Sequence, residues 1–288
     1  MMLILLIPSF FLITIVFLFP LIEYLFTSLN AVSVATGFNY YDNNGANWIR
    51  LLNDDRFWID TLQTIRFSLV SVSLEIILAI IVANIINQKF KGRSITRVIS
   101  LLPWALPTTL MAICWRWIFN TPYGPLNQIL KHMNGIQVNF LSDPQITWIS
   151  TVIADIWKTT PFVALILLAG MQTIPSDLYA ALKLEGGNRN EAFRKITIPM
   201  LEPYLIVSAL FRLAQAFGVF ELIQVMTGGG PAGSTETLAL YAYLNTMRYL
   251  DFGYGATIIL ACFVELILLS ITIVMAIKAI NRILLVYT

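Results

Sequence analysis

The chain has 288 residues, of which 58% are hydrophobic and only 12% are charged. Soluble domains carry roughly one quarter charged residues and an apolar share near one half, so this composition excludes an ordinary soluble protein. It favours an integral membrane protein. The formal net charge of +2 gives no sign of a nucleic-acid partner.

Long apolar runs recur along the sequence, and a membrane-spanning helix needs about 20 mostly apolar residues. On that criterion six spans are predicted, at residues 3–29, 61–86, 98–119, 146–172, 204–226 and 254–280. We therefore expect an all-α integral membrane protein in which residues 1–288 form a single transmembrane domain in contact with the lipid bilayer. The first run is too long for the apolar part of a signal peptide, so it is interpreted as a true first helix.

Basic residues concentrate in two of the loops and at the end of the last span. They are Lys89, Lys91, Arg93 and Arg97 between spans 2 and 3, Lys183, Arg189, Arg194 and Lys195 between spans 4 and 5, and Lys278 and Arg282 at the end of span 6. Because positively charged loops face the cytoplasm, both termini and the two basic loops are predicted to be cytoplasmic. Segment 30–60 is rich in Asn, Asp and Gly and is predicted to be an external loop.

Prolines interrupt two of the predicted spans. Pro103 and Pro107 lie in span 3, and Pro161 lies in span 4. A proline frees backbone carbonyls and bends a helix, which a membrane tolerates only where neighbouring helices or a cavity satisfy the freed groups. The prolines therefore suggest a pathway through the protein.

Ionisable side chains also occur inside the spans, where an unpaired charge is costly, so each is a functional candidate. They are Arg66, Glu75, Arg116, Asp155, Lys158, Arg212, Glu221 and Glu265. Asp155 and Lys158 are three residues apart on one helix face, so they either neutralise each other or line a polar cavity with Thr159. A further alternative makes Arg212 the partner of Asp155 across the bundle.

The segment SDLYAALKLEGGNRNEAFRKITIPML is charged and helical in period, unlike the spans around it. Ser176 is predicted to be the N-cap of a first short helix, which a glycine pair starting at Gly186 breaks. Asn188 and Glu191 have the spacing of a capping box that opens a second helix. Apolar side chains on the two helices form a ridge that indicates a protein partner, unless the segment lies on the membrane surface.

This segment and five further motifs resemble the permease subunits of binding-protein-dependent ABC importers, in the maltose-type carbohydrate branch. The segment is similar to the family's cytoplasmic coupling loop. The usual sequence pattern of that loop is Glu-Ala-Ala, three residues, Gly, nine residues, Ile, one residue, and then Leu-Pro. Gly186, Phe193, Ile198 and Pro199 stand at matching places. The further motifs are LLPWALPTTL, TPYGPLNQIL, LSDPQITW, DIWKTTPFVALILLAGMQTIP and LIQVMTGGGP.

The resemblance implies a type I ABC importer permease fold with six transmembrane helices and a coupling-helix loop at residues 174–201. It implies import of a sugar, oligosaccharide or sugar-like polyol or glycoside across the plasma (inner) membrane of a prokaryote. The implied partners are a second homologous permease, two ABC ATPase subunits and an extracytoplasmic solute-binding protein. ATP and Mg are then bound by the ATPases, since this sequence has no Walker motif and no cofactor is predicted in the chain itself.

The resemblance also assigns site residues. The implied substrate-binding residues are Trp104, Thr108, Asp155, Lys158, Thr159, Phe162, Gln215, Ala216 and Val219. The implied ATPase-coupling residues are Asp177, Ala180, Ala181, Glu185, Gly186, Arg189 and Phe193. Ala180 stands where the family usually has Glu, so Asp177, Glu185 or Arg189 is expected to carry that contact. No catalytic or metal-binding residue is predicted, and the chain is expected not to be an enzyme.

The sequence also leaves open an alternative function, transport driven by an ion gradient. In an ion-coupled secondary carrier, Asp155 or Glu75 would be the proton or ion site. That interpretation leaves the hairpin of the coupling segment without a role.

Overall fold

The structure is a computed structural model that describes residues 2–286. Residue 1, residues 287–288 and the Arg282 side chain, all included in the predictions above, lie outside the described part. The chain divides into two compact units: a first unit of Met1–Thr64 and Glu236–Glu265, and a second unit of Ile65–Thr235 and Leu266–Thr288. The single-domain organisation stays a prediction.

Helices dominate the described residues. In chain order the elements are α1 (Met2–Ile13), a π-helical turn (Thr14–Leu18), α2 (Phe19–Ser28), β1 (Asn30–Ala31), a 3-10 turn (Val34–Thr36), β2 (Tyr41–Asp42), α3 (Ala46–Leu52), α4 (Asp55–Asn87), α5 (Arg93–Ala105), α6 (Thr108–Ile118), α7 (Pro125–Asn134), α8 (Pro144–Thr173), α9 (Ser176–Leu184), α10 (Arg189–Ala192), a π-helical turn (Phe193–Thr197), α11 (Ile198–Met200), α12 (Glu202–Phe217), α13 (Glu221–Met226), α14 (Leu238–Tyr243), a π-helical turn (Leu244–Arg248) and α15 (Phe252–Val286).

Segment 30–60, predicted as a loop, contains regular structure. β1 and β2 pair antiparallel, with Asn30 opposite Asp42 and Ala31 opposite Tyr41. The helix α3 follows the hairpin directly, and α4 begins at Asp55. The Asn and Gly residues of this segment therefore serve short turns between small elements rather than one extended loop.

Within residues 2–286, four helical stretches are long and apolar enough to span a membrane. They are Ile7–Ser28, Asp55–Asn87, Pro144–Thr173 and Phe252–Ala279. Two further stretches are bent pairs of helices: α5 with α6, at 88°, and Arg189–Met200 with α12, at 63°. The total reaches the predicted six only if each bent pair is one span.

In the first unit, the Asp54 carboxylate joins three parts of the sequence just before α4. Its Oδ2 atom accepts hydrogen bonds from the Tyr241 hydroxyl, at 2.6 Å, and from the Tyr254 hydroxyl. Although burial alone would raise the pKa of Asp54, these two bonds and backbone N–H donors lower it below the usual value. Burial and the bond to Asp54 raise the pKa of Tyr241 to about 12.

In the second unit, the bend between α5 and α6 lies at Leu106 and Pro107. Leu106 is extended, with φ −70° and ψ 137°, as expected for a residue that precedes proline. This confirms the predicted bend in span 3. The helices α5 and α8 continue through Pro103 and Pro161. Predicted span 5 is divided differently, because α12 ends at Phe217 and a separate short helix, α13, follows.

The core of the second unit lies where α8 meets α4 and the start of α12. Ala79 and Ala83 of α4 pack with Val163 and Leu167 of α8. At Gly170 the backbone of α8 approaches α12 so closely that an added Cβ would lie 2.6 Å from the Tyr204 ring. Small residues allow this close helix contact, which is a principal source of helix association in membranes.

We predict that Gly170→Val destabilises the protein by about 1–3 kcal/mol, because the new side chain must displace the Tyr204 ring. The matched control is Ala169→Val, which adds the same type of side chain at the neighbouring, exposed position of α8. The measurement is the thermal unfolding temperature in detergent. Equal temperatures for the two variants would contradict the packing argument.

Candidate functional site

The predicted substrate-binding residues all belong to the second unit. They are Trp104 on α5, Thr108 on α6, Asp155, Lys158, Thr159 and Phe162 on α8, Gln215 and Ala216 on α12, and Val219 just after α12. Both α5 and α12 pack against α8. The helix α8 therefore brings most of these side chains together.

A buried ion cluster lies at the centre of the site, and Arg212 of α12 is its only cation among the residues that compose it. Arg212 Nε donates to Glu75 Oε2 at 2.5 Å, and Nη2 donates to Glu75 Oε1 at 2.8 Å. Nη2 also donates to Asp155 Oδ2 at 3.1 Å. Arg212 is 2% exposed and Glu75 is 0% exposed. The fork of the guanidinium thus binds Glu75 through two donors and links α4, α8 and α12.

Thr159 belongs to the same cluster. Its hydroxyl is directed at Glu75 Oε1, at 2.6 Å, and at the backbone carbonyl of Asp155, at 2.7 Å. The single hydroxyl hydrogen is therefore already used inside the protein. Neither Glu75 nor Arg212 was among the predicted site residues, although their charge inside an apolar span marked them as candidates.

The partner of Asp155 is Arg212, as one of the sequence alternatives expected. Lys158 instead donates from Nζ to the backbone carbonyl of Leu106, at 2.7 Å. Leu106 is the residue at the bend between α5 and α6 and lies outside both helices. Lys158 therefore stabilises the bend and is half-buried in doing so.

Aromatic rings occur on α5 and on two of the helices that carry the cluster, α8 and α12. Trp104 and Phe162 stack with their centroids 5.0 Å apart and 17° between the planes. Phe162 in turn contacts Phe211 of α12, also at 5.0 Å. Trp104 is 41% exposed, so part of its surface is open while Phe162 covers one face.

The remaining predicted residues offer less to a ligand. Ala216 is fully buried, and Val219 packs on two apolar clusters around Met111 and Phe67. Thr108 is half-buried at the start of α6. Gln215 is exposed, and its Oε1 atom accepts from Arg212 Nη1 at 2.7 Å.

The coupling segment follows α8 and has the predicted break. The helix α9 ends at Leu184, and Gly186 adopts φ +85°, a conformation that glycine favours. The capping box is confirmed: Asn188 Oδ1 accepts from the Glu191 amide at 3.0 Å, and Glu191 Oε2 accepts from the Asn188 amide at 2.8 Å. The Ser176 cap is wrong, because Pro175 occupies the cap position and Ser176 is the first helical residue.

Most predicted coupling residues are exposed. They are Asp177, Ala180, Ala181, Glu185, Gly186 and Arg189, whereas Phe193 is half-buried. Leu184 is 90% exposed, which is unusual for a leucine and leaves an apolar surface open. Tyr179 and Thr197 join the two halves of the segment through a hydroxyl contact of 2.9 Å. A cavity of about 440 Å³ lies beside that contact, lined by Arg189, Phe193 and the ends of α4 and α8.

The sequence matches the family of binding-protein-dependent transport system inner membrane components over residues 75–283. The chain belongs to this family. The matched region contains the ion cluster, the aromatic rings and the coupling segment. Members of the family are permease subunits of ABC transporters and are not themselves enzymes.

Several curated relatives of this permease are named as transport proteins for sugars or glycosides. The trehalose/maltose transport system permease protein MalF of Thermococcus litoralis is 45% identical over 228 residues, which cover 79% of this chain and 76% of the relative. The sulfoquinovosyl glycerol transport system permease protein SmoG of Agrobacterium fabrum is 32% identical over 259 residues, covering 90% of this chain and 84% of the relative.

Solved structures of ABC importers share the fold of this permease. A bacterial ABC transporter involved in the import of the acidic polysaccharide alginate matches with a TM-score of 0.78 and 20% identity, over 98% of this chain and 94% of that chain. The inward-facing MetNI methionine ABC transporter matches with a TM-score of 0.52 and 18% identity, over 79% of this chain and 95% of that chain. At these identities the likeness establishes the fold alone.

The ion cluster predicts unequal effects of removing its members. Arg212→Met leaves two buried carboxylates without a cation and should destabilise the permease by roughly 3–5 kcal/mol. Asp155→Asn should cost much less, because the two-donor bond between Arg212 and Glu75 remains. The loss of stability in each variant is measured by unfolding the purified subunit in detergent. A larger loss for Asp155→Asn than for Arg212→Met would contradict this account.

Proposed function

We propose that this permease is the membrane-spanning subunit of an ATP-driven importer that moves a sugar, oligosaccharide or sugar-like polyol or glycoside into the cytoplasm. The observation that carries the proposal is the site on α5, α8 and α12, where the partly exposed Trp104 stacks on α8, the helix that also carries Asp155 and Thr159. Aromatic faces and hydrogen-bonding side chains are the groups that recognise a sugar ring and its hydroxyls. The 45% identity to a trehalose/maltose permease supports this substrate class.

The complete importer contains further subunits in this proposal. A second homologous permease, two ABC ATPases that bind ATP and Mg, and an extracytoplasmic solute-binding protein assemble with this chain. The permease crosses the plasma (inner) membrane of a prokaryote six times and has both termini in the cytoplasm. The positive loops support this orientation. In this proposal α5 with α6 forms span three, and α12 with α13 forms span five.

The site residues have distinct roles in this proposal. The open part of Trp104 stacks on the sugar ring, while Phe162 supports the tryptophan from its other face and is itself in contact with Phe211. Gln215 and Asp155 bind sugar hydroxyls from α12 and α8. Thr159, whose hydroxyl is directed at Glu75, supports the cluster rather than the sugar. Ala216 and Val219 shape the wall.

The exposed coupling segment transmits the conformational change of the ATPases. Leu184 and the neighbouring apolar residues provide the docking surface, and Asp177, Glu185 or Arg189 replaces the contact of the missing Glu at Ala180. ATP binding closes the ATPases, the segment moves with them, and the spans change between inward-facing and outward-facing states.

The ion-coupled carrier is not favoured. Glu75 accepts two donors from Arg212 and one from Thr159, so its oxygens are already satisfied and offer no vacant ion site. Asp155 is also paired with Arg212. The family match adds independent weight against a secondary carrier.

The substrate site is tested by Trp104→Ala in the complete importer reconstituted in proteoliposomes. Uptake of labelled trehalose or maltose should fall about tenfold, since the stacking surface is lost. Trp117→Ala is the matched control, because Trp117 is 63% exposed on α6 outside the site and its loss should leave uptake near normal. Uptake should require ATP and persist when an ionophore dissipates ion gradients. Normal uptake by both Trp104→Ala and Asp155→Ala would place the site elsewhere.

The coupling role is tested by Gly186→Val. Gly186 has φ +85° with open space around it, so valine there is opposed by backbone strain rather than by a clash. Substrate-stimulated ATP hydrolysis should fall severalfold while membrane insertion is retained. Gly135→Val carries a similar strain, at φ +70° in open space after α7, and should leave stimulation intact. If Gly186→Val shows the wild-type level of substrate-stimulated ATP hydrolysis, the proposed coupling role is wrong.

A further inference from the structure

Arg212 contacts a third side chain besides the two carboxylates. Its Nη1 atom donates to Gln215 Oε1 at 2.7 Å, one helical turn further along α12. The guanidinium has only N–H donors and no acceptor, so the atom of Gln215 that faces it must be the amide oxygen. The amide nitrogen of Gln215 is thereby turned away from Arg212. Gln215 is an exposed residue, as a side chain that contacts a ligand must be.

Glu75 holds the guanidinium in the plane that this contact requires. Both carboxylate oxygens of Glu75 accept from Arg212, and the Thr159 hydroxyl is a second donor to Oε1. Glu75 is completely buried, so water does not compete for these bonds. Asp155 Oδ2 accepts from Nη2, the nitrogen that also donates to Glu75 Oε1. The cluster thus fixes Arg212 from two other helices.

We infer that Arg212 is a positioning residue for sugar recognition: it fixes Gln215 as a hydrogen-bond donor to a hydroxyl oxygen of the permeating sugar, and Glu75 anchors it. The inference rests on the proposed sugar transport and assigns roles within that site. Without Arg212, the Gln215 amide can rotate and present its oxygen or its nitrogen, which weakens a defined hydrogen bond.

Gln215→Glu is the decisive variant. Glutamate has the same shape and still gives Arg212 an oxygen acceptor, but it has no N–H donor for the sugar. We expect uptake of labelled trehalose and maltose by the reconstituted importer, at saturating sugar-loaded binding protein, to fall at least tenfold. The thermal unfolding temperature should stay within a few degrees of wild type, because the internal contact is preserved.

A second variant tests the role of Arg212 directly. Arg212→Lys keeps the charge but has one nitrogen in place of the planar fork, so it cannot hold Glu75, Asp155 and Gln215 together. Its uptake should fall by a similar factor. Adding Gln215→Glu to Arg212→Lys should lower uptake less than twofold further, because the two changes remove the same interaction.

The outcomes are distinguishable. Wild-type uptake by Gln215→Glu, or losses that multiply fully in the double variant, would overturn the positioning role while sugar transport by the wild-type importer still stands. If the wild-type importer takes up neither trehalose nor maltose nor other glycosides, the proposed function fails and this inference fails with it. If Arg212→Lys does not assemble, Gln215→Glu alone decides.

Discussion

The pairing of Arg212 with Glu75 is the interaction on which the second unit depends. Moving a guanidinium and a carboxylate out of water costs several kcal/mol each, and only close pairing with additional hydrogen bonds offsets that cost. Here the pair is buried, bonded through two donors, and extended to Asp155 and Thr159. Because its members come from α4, α8 and α12, the cluster also fixes the relative position of these three helices.

The ion cluster divides the polar side chains of the site into two groups. Glu75 is buried and holds the guanidinium, and the hydroxyl of the buried Thr159 is directed at Glu75. Gln215 and Trp104 are exposed and offer an amide and a ring surface. A rigid inner layer behind an exposed layer is the arrangement that keeps recognition groups in a defined geometry.

The coupling segment differs from the ion cluster, which joins residues that are far apart in the sequence. Its shape comes from short-range interactions: a glycine at φ +85°, a capping box and one hydroxyl contact between its halves. Its apolar surface is left open, with Leu184 almost fully exposed. Such a segment holds its form without a deep core, and its open apolar surface is consistent with the docking role proposed for it.

The sequence by itself determined what short-range chemistry and composition decide. The length of the apolar runs indicates a membrane protein. Pro107 predicts the bend between α5 and α6, and the spacing of residues predicts the capping box at Asn188 and the break at Gly186.

The tertiary structure decided which charged side chains pair with each other. Arg212 lies 137 residues from Glu75 and 57 from Asp155, so residue spacing could not choose between Arg212 and Lys158 as the partner of Asp155. It also decided that Ala216 is buried and that Pro175, not Ser176, precedes α9. The physical reason is that a buried charge takes whichever partner the packing of distant helices brings within hydrogen-bond distance, and that packing is a property of the whole unit.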